Sequence, residues 1–198
     1  GYVDRALGKP VDYEVRSISY WNRREMVADG YGEGRVFIAG DCAHLNGPEG
    51  GYGMNTGMGD AMDLGWKLWA DYAGWGGPGL MASYEAERRP IALRNIAEAT
   101  RNLRNHAFDY PEILLDTPAG AAERRECGER IESDGQRRHG HNGLMLGFRY
   151  SSPLIHRANE GEPPVDDTSN YVPSSYPGCR APHLWLSDEK SIIDLFGG

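Results

Sequence analysis

Apolar and polar positions alternate over residues 13–21, YEVRSISYW, the period-two pattern of a half-buried strand. A glycine-rich turn, DGYGEG at 29–34, separates it from Val36-Phe37-Ile38-Ala39, four apolar residues stopped by Gly40-Asp41. So short a run between glycines predicts a strand buried on both faces, as in a parallel sheet. Residues 46–59, NGPEGGYGMNTGMG, are too rich in glycine for an ordinary helix or strand and predict a loop. Beyond it Met58, Ala61, Met62, Gly65, Leu68, Trp69 and Tyr72 recur at helical spacing, predicting a buried helix over 56–73.

GWGGPG at 74–79 ends that helix. A second is predicted over 80–107, with Ile96, Ala99, Leu103 and Ala107 on one stripe; Pro90 either kinks it or opens its longer part. A third spans 117–138, from a Thr117-Pro118 cap to the basic end Arg137-Arg138. LMLGFRY at 144–150 reads as a strand, and 157–183, with five prolines, as loop. The final HLWLSDEKSIIDLFGG resumes apolar patterning and stops as an element starts, as expected of a piece of a longer chain.

Composition adds one constraint. Leu, Ile, Val and Phe supply only 35 of the 198 residues, so the apolar faces above are expected to need cover from a cofactor, a partner or further polypeptide. The net charge of -8 argues against nucleic acid as the main partner. No apolar run approaches the roughly 18 residues of a membrane span. Cys42, Cys127 and Cys179, odd in number and far apart, predict reduced thiols in a cytoplasmic protein. Arg88-Arg89, Arg124-Arg125 and Arg137-Arg138 alternate with Glu and predict solvated helix faces.

The candidate chemistry lies in 35–69. A strand delivers Asp41 to its C-terminal end, where open α/β sheets bind ligands. The glycine loop lets a flat or phosphorylated ligand approach the main chain, and the helix start offers free N–H groups and partial positive charge. Asp41 suits a polyol hydroxyl rather than a phosphate.

GDCAHLNGPEGGYGMNTGMGDAMDLGWKL resembles the second FAD-binding motif of the class A flavoprotein aromatic hydroxylases, the p-hydroxybenzoate-hydroxylase-like group, in particular its phenol and 3-hydroxyphenylpropionate hydroxylase branch. The family pattern coincides at Gly40, Asp41, Ala43, His44, Pro48, Gly51, Gly53, Asn55, Gly57, Asp60, Ala61, Asp63, Leu64, Trp66, Lys67 and Leu68. SYEAERRPIA at 83–92 resembles the family's Tyr-x-x-Glu-Arg-x-Pro helix, and YPGCRAPHLWL with SIIDLFG the lead-in to a thioredoxin-like domain. The resemblance implies an α/β fold: the C-terminal portion of a Rossmann-like FAD-binding domain, helix-rich here, plus the start of a thioredoxin-like domain. Residues 1–22 would hold the last strand of a substrate-binding sheet, 23–142 the FAD-domain portion with long helices, and 143–198 the linker and thioredoxin-like start.

By the same resemblance Asp41 binds the FAD ribityl chain, with Gly40 at the close approach. Gly51, Gly53, Met54 and Asn55 face the pyrimidine edge of the isoalloxazine, where a helix start favours the anionic reduced flavin. The Pro48 carbonyl lies beside flavin and substrate. The implied reaction is NAD(P)H- and O2-dependent hydroxylation of a phenolic ring through a hydroperoxyflavin. Partners are then a small aromatic substrate, no nucleic acid and no membrane, with a homodimer kept open. The alternatives are a same-fold FAD oxidoreductase without hydroxylation and an inactive packing or dimerisation fragment.

Departures from the pattern are Gly47-Pro48 for two prolines, Cys42 for Ala, and Tyr176 for an Arg before Pro177. The family's first motif, G-x-G-x-x-G in an N-terminal βαβ unit, is not found here (GWGGPG at 74–79 is only a break between two helices), nor is the family's Asp-Gly motif shared by FAD and NAD(P)H binding, so half a flavin site is expected. His44 reads as a structural histidine rather than a base, and His139-Gly140-His141 as a solvent turn rather than a metal site. Cys42 reads as a buried inert thiol, and Met54, Met58 and Met62 as core.

Overall fold

The computed structural model describes residues 2–105, 110–139, 141–156 and 161–195. A short helix α1 (Tyr2–Leu7) precedes a stretch, 8–25, without regular structure. Strand β1 (Met26–Val27) pairs antiparallel with β4 (His44–Leu45), and between them β2 (Gly32–Glu33) pairs with β3 (Val36–Phe37) around Gly34-Arg35. Three helices follow: α2 (Tyr52–Tyr72), α3 (Leu80–Asn105) and α4 (Pro118–His139). A short α5 (Asn142–Leu146) and a hairpin of β5 (Trp185–Ser187) and β6 (Lys190–Ser191) complete the order.

The predicted helices form, and α2 begins four residues earlier than its periodicity indicates, taking in the end of the glycine loop. Thr117 caps α4 as expected, its hydroxyl accepting the Gly120 N–H at 3.1 Å. α3 runs continuously through Pro90, at the cost of the one backbone donor that proline lacks. Ala107 lies outside the described residues.

Three strand expectations fail. Residues 13–21 make no strand, and Ile18, Tyr20 and Trp21 are exposed; alternation defines a face, but a strand also needs an edge to pair with. The run 36–39 gives two residues of an antiparallel hairpin with Val36 exposed, rather than a doubly buried parallel strand. At 144–150 the chain forms α5 and then a single bridge, Arg149 to Cys179. Arg94 decides that choice by donating to the carbonyls of Gly143 (3.1 Å) and Leu144 (2.9 Å), which a strand would have offered to a ladder.

The core lies between the hairpins and α3. Tyr31, Ala43, Tyr84 and Ala92 are buried together, with Phe37, Ile38 and Leu64 packed against them. Tyr84 donates its hydroxyl to the Ile38 carbonyl at 2.9 Å, and Glu85 accepts the Tyr31 N–H at 2.8 Å. These bonds lock the segment leading into Gly40 onto α3. No helix among the described residues is long and apolar enough to cross a membrane.

α2 is inverted relative to its sequence reading. Thr56, Asp60, Asp63 and Lys67 face inward onto α3, while Met54 (75%), Met58 (57%) and Met62 (76%) are exposed, with Trp69 and Tyr72 beyond them. The stripe taken for core is the open face.

Candidate functional site

Gly40 opens a 3-10 turn, Gly40–Cys42, at φ 57, a conformation that glycine adopts without strain. The turn rests directly on α2: a Cβ on Gly57 would stand 3.1 Å from the Gly40 Cα. Two small residues therefore let the turn sit at the start of the helix and leave Asp41 exposed at its corner. The following loop closes on itself, the Gly51 N–H donating to the Pro48 carbonyl at 3.1 Å. Gly51, at φ 68, caps α2 and supplies no side chain to its first N–H groups.

The seven candidate residues thus fall on one junction between turn, loop and helix. Asp41, Pro48, Gly51, Met54 and Asn55 are exposed, and Gly40 and Gly53 are half-buried. The Asn55 amide donates back to the Gly51 carbonyl at 3.0 Å and stiffens the helix start. The Pro48 carbonyl, the group expected to shape a reaction cavity, is already engaged by Gly51.

A buried polar network stands beneath the junction. Asp60, fully buried, accepts the Gly40 N–H at 3.1 Å and faces His44 Nε2 at 2.7 Å with one oxygen, and accepts Arg88 Nε at 2.8 Å with the other. Burial pushes the Asp60 carboxyl up, but the His44 and Arg88 hydrogen bonds outweigh it and hold the group below the ordinary aspartate value. Arg88 continues to the Thr56 carbonyl and the Tyr150 hydroxyl, each at 3.1 Å. Two turns along α2, Lys67 bonds Asp63 at 2.6 Å and Glu87 at 2.5 Å, and Ser152 donates to the other Glu87 oxygen. Here burial raises Asp63, and Lys67 only partly opposes it.

His44 is buried in that network, in keeping with the structural role read for it. Cys42 is exposed, against the expectation of a buried thiol, because the turn lifts 41–42 off the core. Arg88 is buried, against the reading of a solvated face, because Asp60 draws it inward. Arg124 does lie at the surface, donating to the Ile113 and Leu115 carbonyls; the side chains of Arg137, Arg138 and His139, and Gly140, lie outside the described residues.

Sequence reasoning singled out none of Asp60, Arg88 and Tyr52 as site residues. Tyr52 covers Gly50 with its ring, receives the Asn102 amide at 3.1 Å and lies 3.0 Å from the His141 ring nitrogen. The usable signal for Asp60 and Arg88 was their presence inside the two quoted motifs. Two clefts of ≈ 440 Å³ and ≈ 520 Å³ at the β2–β3 hairpin are lined by none of the seven candidate residues. Among the described residues no cluster of His, Cys, Asp and Glu could hold a metal ion.

Comparison with known proteins shows what the chain is similar to. Residues 4–99 match the FAD binding domain family model. An FAD-dependent monooxygenase from Penicillium oxalicum is 36% identical over 213 residues, covering 97% of this chain and 38% of that protein. The rebeccamycin biosynthetic enzyme RebC with reduced flavin superposes with TM-score 0.83 at 43% identity, over 98% of this chain and 36% of that one. Aklavinone-11 hydroxylase, in a ternary complex with FAD and aklavinone, gives TM-score 0.73 at 32% identity, over 99% and 33%. The chain spans little more than a third of the length of these relatives. A shared FAD-domain match and near-complete alignment to flavin monooxygenases mean that this chain belongs to the class A flavoprotein aromatic hydroxylase family.

Proposed function

We propose that these residues supply the ribityl- and isoalloxazine-facing half of the flavin site in an FAD-dependent monooxygenase that hydroxylates a small aromatic, phenolic substrate. The observation that carries the reading is the exposed Asp41 held, through Gly40 on Gly57, beside a helix start whose cap, Gly51, offers no side chain. A flat polyol-bearing cofactor fits such a junction: open main chain on one side, an acceptor for hydroxyls on the other.

When bound, FAD reduced by NAD(P)H supplies the oxygen-activating chemistry. Asp41 accepts hydrogen bonds from ribityl hydroxyls. The N-terminal N–H groups of α2, about Gly53, Met54 and Asn55, stabilise negative charge on the pyrimidine edge. Pro48 keeps the approach to that edge rigid through its turn with Gly51. In this reading 1–22 belongs to a substrate-binding sheet, 23–142 to a Rossmann-like FAD domain and 143–198 to the linker and start of a thioredoxin-like domain, in a cytoplasmic enzyme.

The test is made on the full-length protein. We expect it to purify with stoichiometric FAD, and a phenol to stimulate NAD(P)H oxidation with hydroxylated product. A colourless protein that takes up no FAD contradicts the flavin reading. Stimulated oxidation without hydroxylated product points instead to a non-hydroxylating FAD oxidoreductase.

A further inference from the structure

We propose that Asp60 is a positioning residue for the flavin: its buried carboxylate holds the Gly40 N–H and so fixes the turn that presents Asp41. The proposal rests on the flavin reading above and goes beyond it to a residue that does not face the cofactor.

Both Asp60 oxygens are immobilised. One takes Arg88 Nε at 2.8 Å, and the other takes the Gly40 N–H at 3.1 Å while facing His44 Nε2 at 2.7 Å. Arg88 is held in turn by the Thr56 carbonyl and the Tyr150 hydroxyl, so the carboxylate cannot swing away. Arg88 and His44 alone would satisfy a merely structural aspartate. The bond to Gly40 is of a different kind, because it reaches from the helix to the backbone of the turn that carries Asp41. Gly40 has no side chain, and it lies against the side-chain-free Gly57 of the helix beneath it. The 2.8 Å bond from the Ala43 N–H to the Gly40 carbonyl shapes the turn internally without fastening it to the helix. Tyr84 and Tyr31 hold the chain before the turn, and the Ala28 N–H holds the Ala43 carbonyl after it, so the Asp60 bond sets the turn itself against α2. Without it Asp41 shifts from the place where it can meet a ligand lying against the α2 start.

Asp60→Asn tests this, because an amide nitrogen must then face either Arg88 or the Gly40 and His44 donors. Gly57→Ala tests it independently, pushing the turn off the helix with the carboxylate intact. Glu87→Gln serves as control: it disturbs a comparably buried charge that touches neither the turn nor the candidate site. FAD dissociation constants are measured by flavin fluorescence on full-length apoprotein, alongside unfolding midpoints.

We expect Asp60→Asn and Gly57→Ala to weaken FAD binding by roughly ten- to a hundredfold, the scale of a lost hydrogen bond to a charged group. Glu87→Gln should stay within about twofold of wild type in FAD affinity while losing stability, as truncation of a buried ion pair away from a site does. If all three variants lose affinity in proportion to stability, Asp60 is structural only and the proposal is overturned. If Asp60→Asn does not fold, Gly57→Ala decides alone, and an affinity within about twofold of wild type overturns the proposal, twofold being well below the effect of a lost charged hydrogen bond. A wild-type protein that binds no FAD overturns the flavin reading itself, whereas normal wild-type binding with unaffected variants overturns only the positioning role.

Discussion

The two faces of α2 obey opposite rules. The face against α3 is polar, with Thr56, Asp60, Asp63 and Lys67 buried, and every charge on it has a partner on the same helix, on α3 or in the Gly40 turn. The opposite face carries Met54, Met58 and Met62 and lies open. Buried charges are expensive unless paired, so the inner face stores its specificity in geometry: α2 and α3 can dock in only the register that lines up Asp60 with Arg88 and Lys67 with Glu87. The outer face has no such register. It is apolar, adaptable surface of the kind that a flat ligand or another layer can cover.

Breaking the inner face should have the largest effect. Arg88→Met leaves Asp60 charged and buried with His44 as its remaining side-chain partner, and should cost about 3–5 kcal/mol in urea unfolding. Lys67→Met leaves Asp63 and Glu87 facing each other and should cost a similar amount, about 3–5 kcal/mol. A loss below about 1 kcal/mol in both, the range of exposed pairs, would mean that the inner face is solvated rather than docked.

The two aspartates on that face should respond to pH with opposite sign. Asp60 has a lowered carboxyl pKa, so its contribution is present above the ordinary aspartate value and is lost as pH falls through the depressed one. Asp63 has a raised pKa, so its contribution is full below the ordinary value and declines as pH rises through the raised one. Stability measured from pH 3 to 7 should therefore keep its acid limb in Asp63→Asn and lose part of it in Asp60→Asn. Matching limbs in the two variants would erase the distinction between the two sites. The smallest effect belongs to the outer face: Met62→Ser in this chain should change stability by no more than about 0.5 kcal/mol.

This asymmetry also explains what the sequence could and could not reveal. Helical spacing located α2, α3 and α4 because period is a property of one segment. It misassigned the Met54, Met58 and Met62 stripe because apolar character alone does not say which neighbour is present. The strands failed for the same reason: Val36 and Phe37 pair with Gly32 and Glu33, a choice made by the Gly34-Arg35 turn rather than by hydrophobicity. The junction of Asp41 with the α2 start was legible because turn, loop and helix are contiguous from Gly40 to Asn55. Its support was not, since Arg88 lies 28 residues from Asp60 and its burial depends on that partner. Arg next to Arg, amid glutamates, has the same local pattern whether it is solvated or paired inside.

The central claim, that the exposed carboxylate at the corner of the Gly40 turn grips a flavin, is tested most directly with Asp41→Ala in the full-length protein. Asp41 is exposed, so the substitution should leave the unfolding midpoint of the apoprotein unchanged. FAD titration should then give a dissociation constant raised roughly ten- to a hundredfold over wild type, as expected for lost hydrogen bonds to a charged acceptor. An Asp41→Ala protein that binds FAD as tightly as wild type would contradict the account.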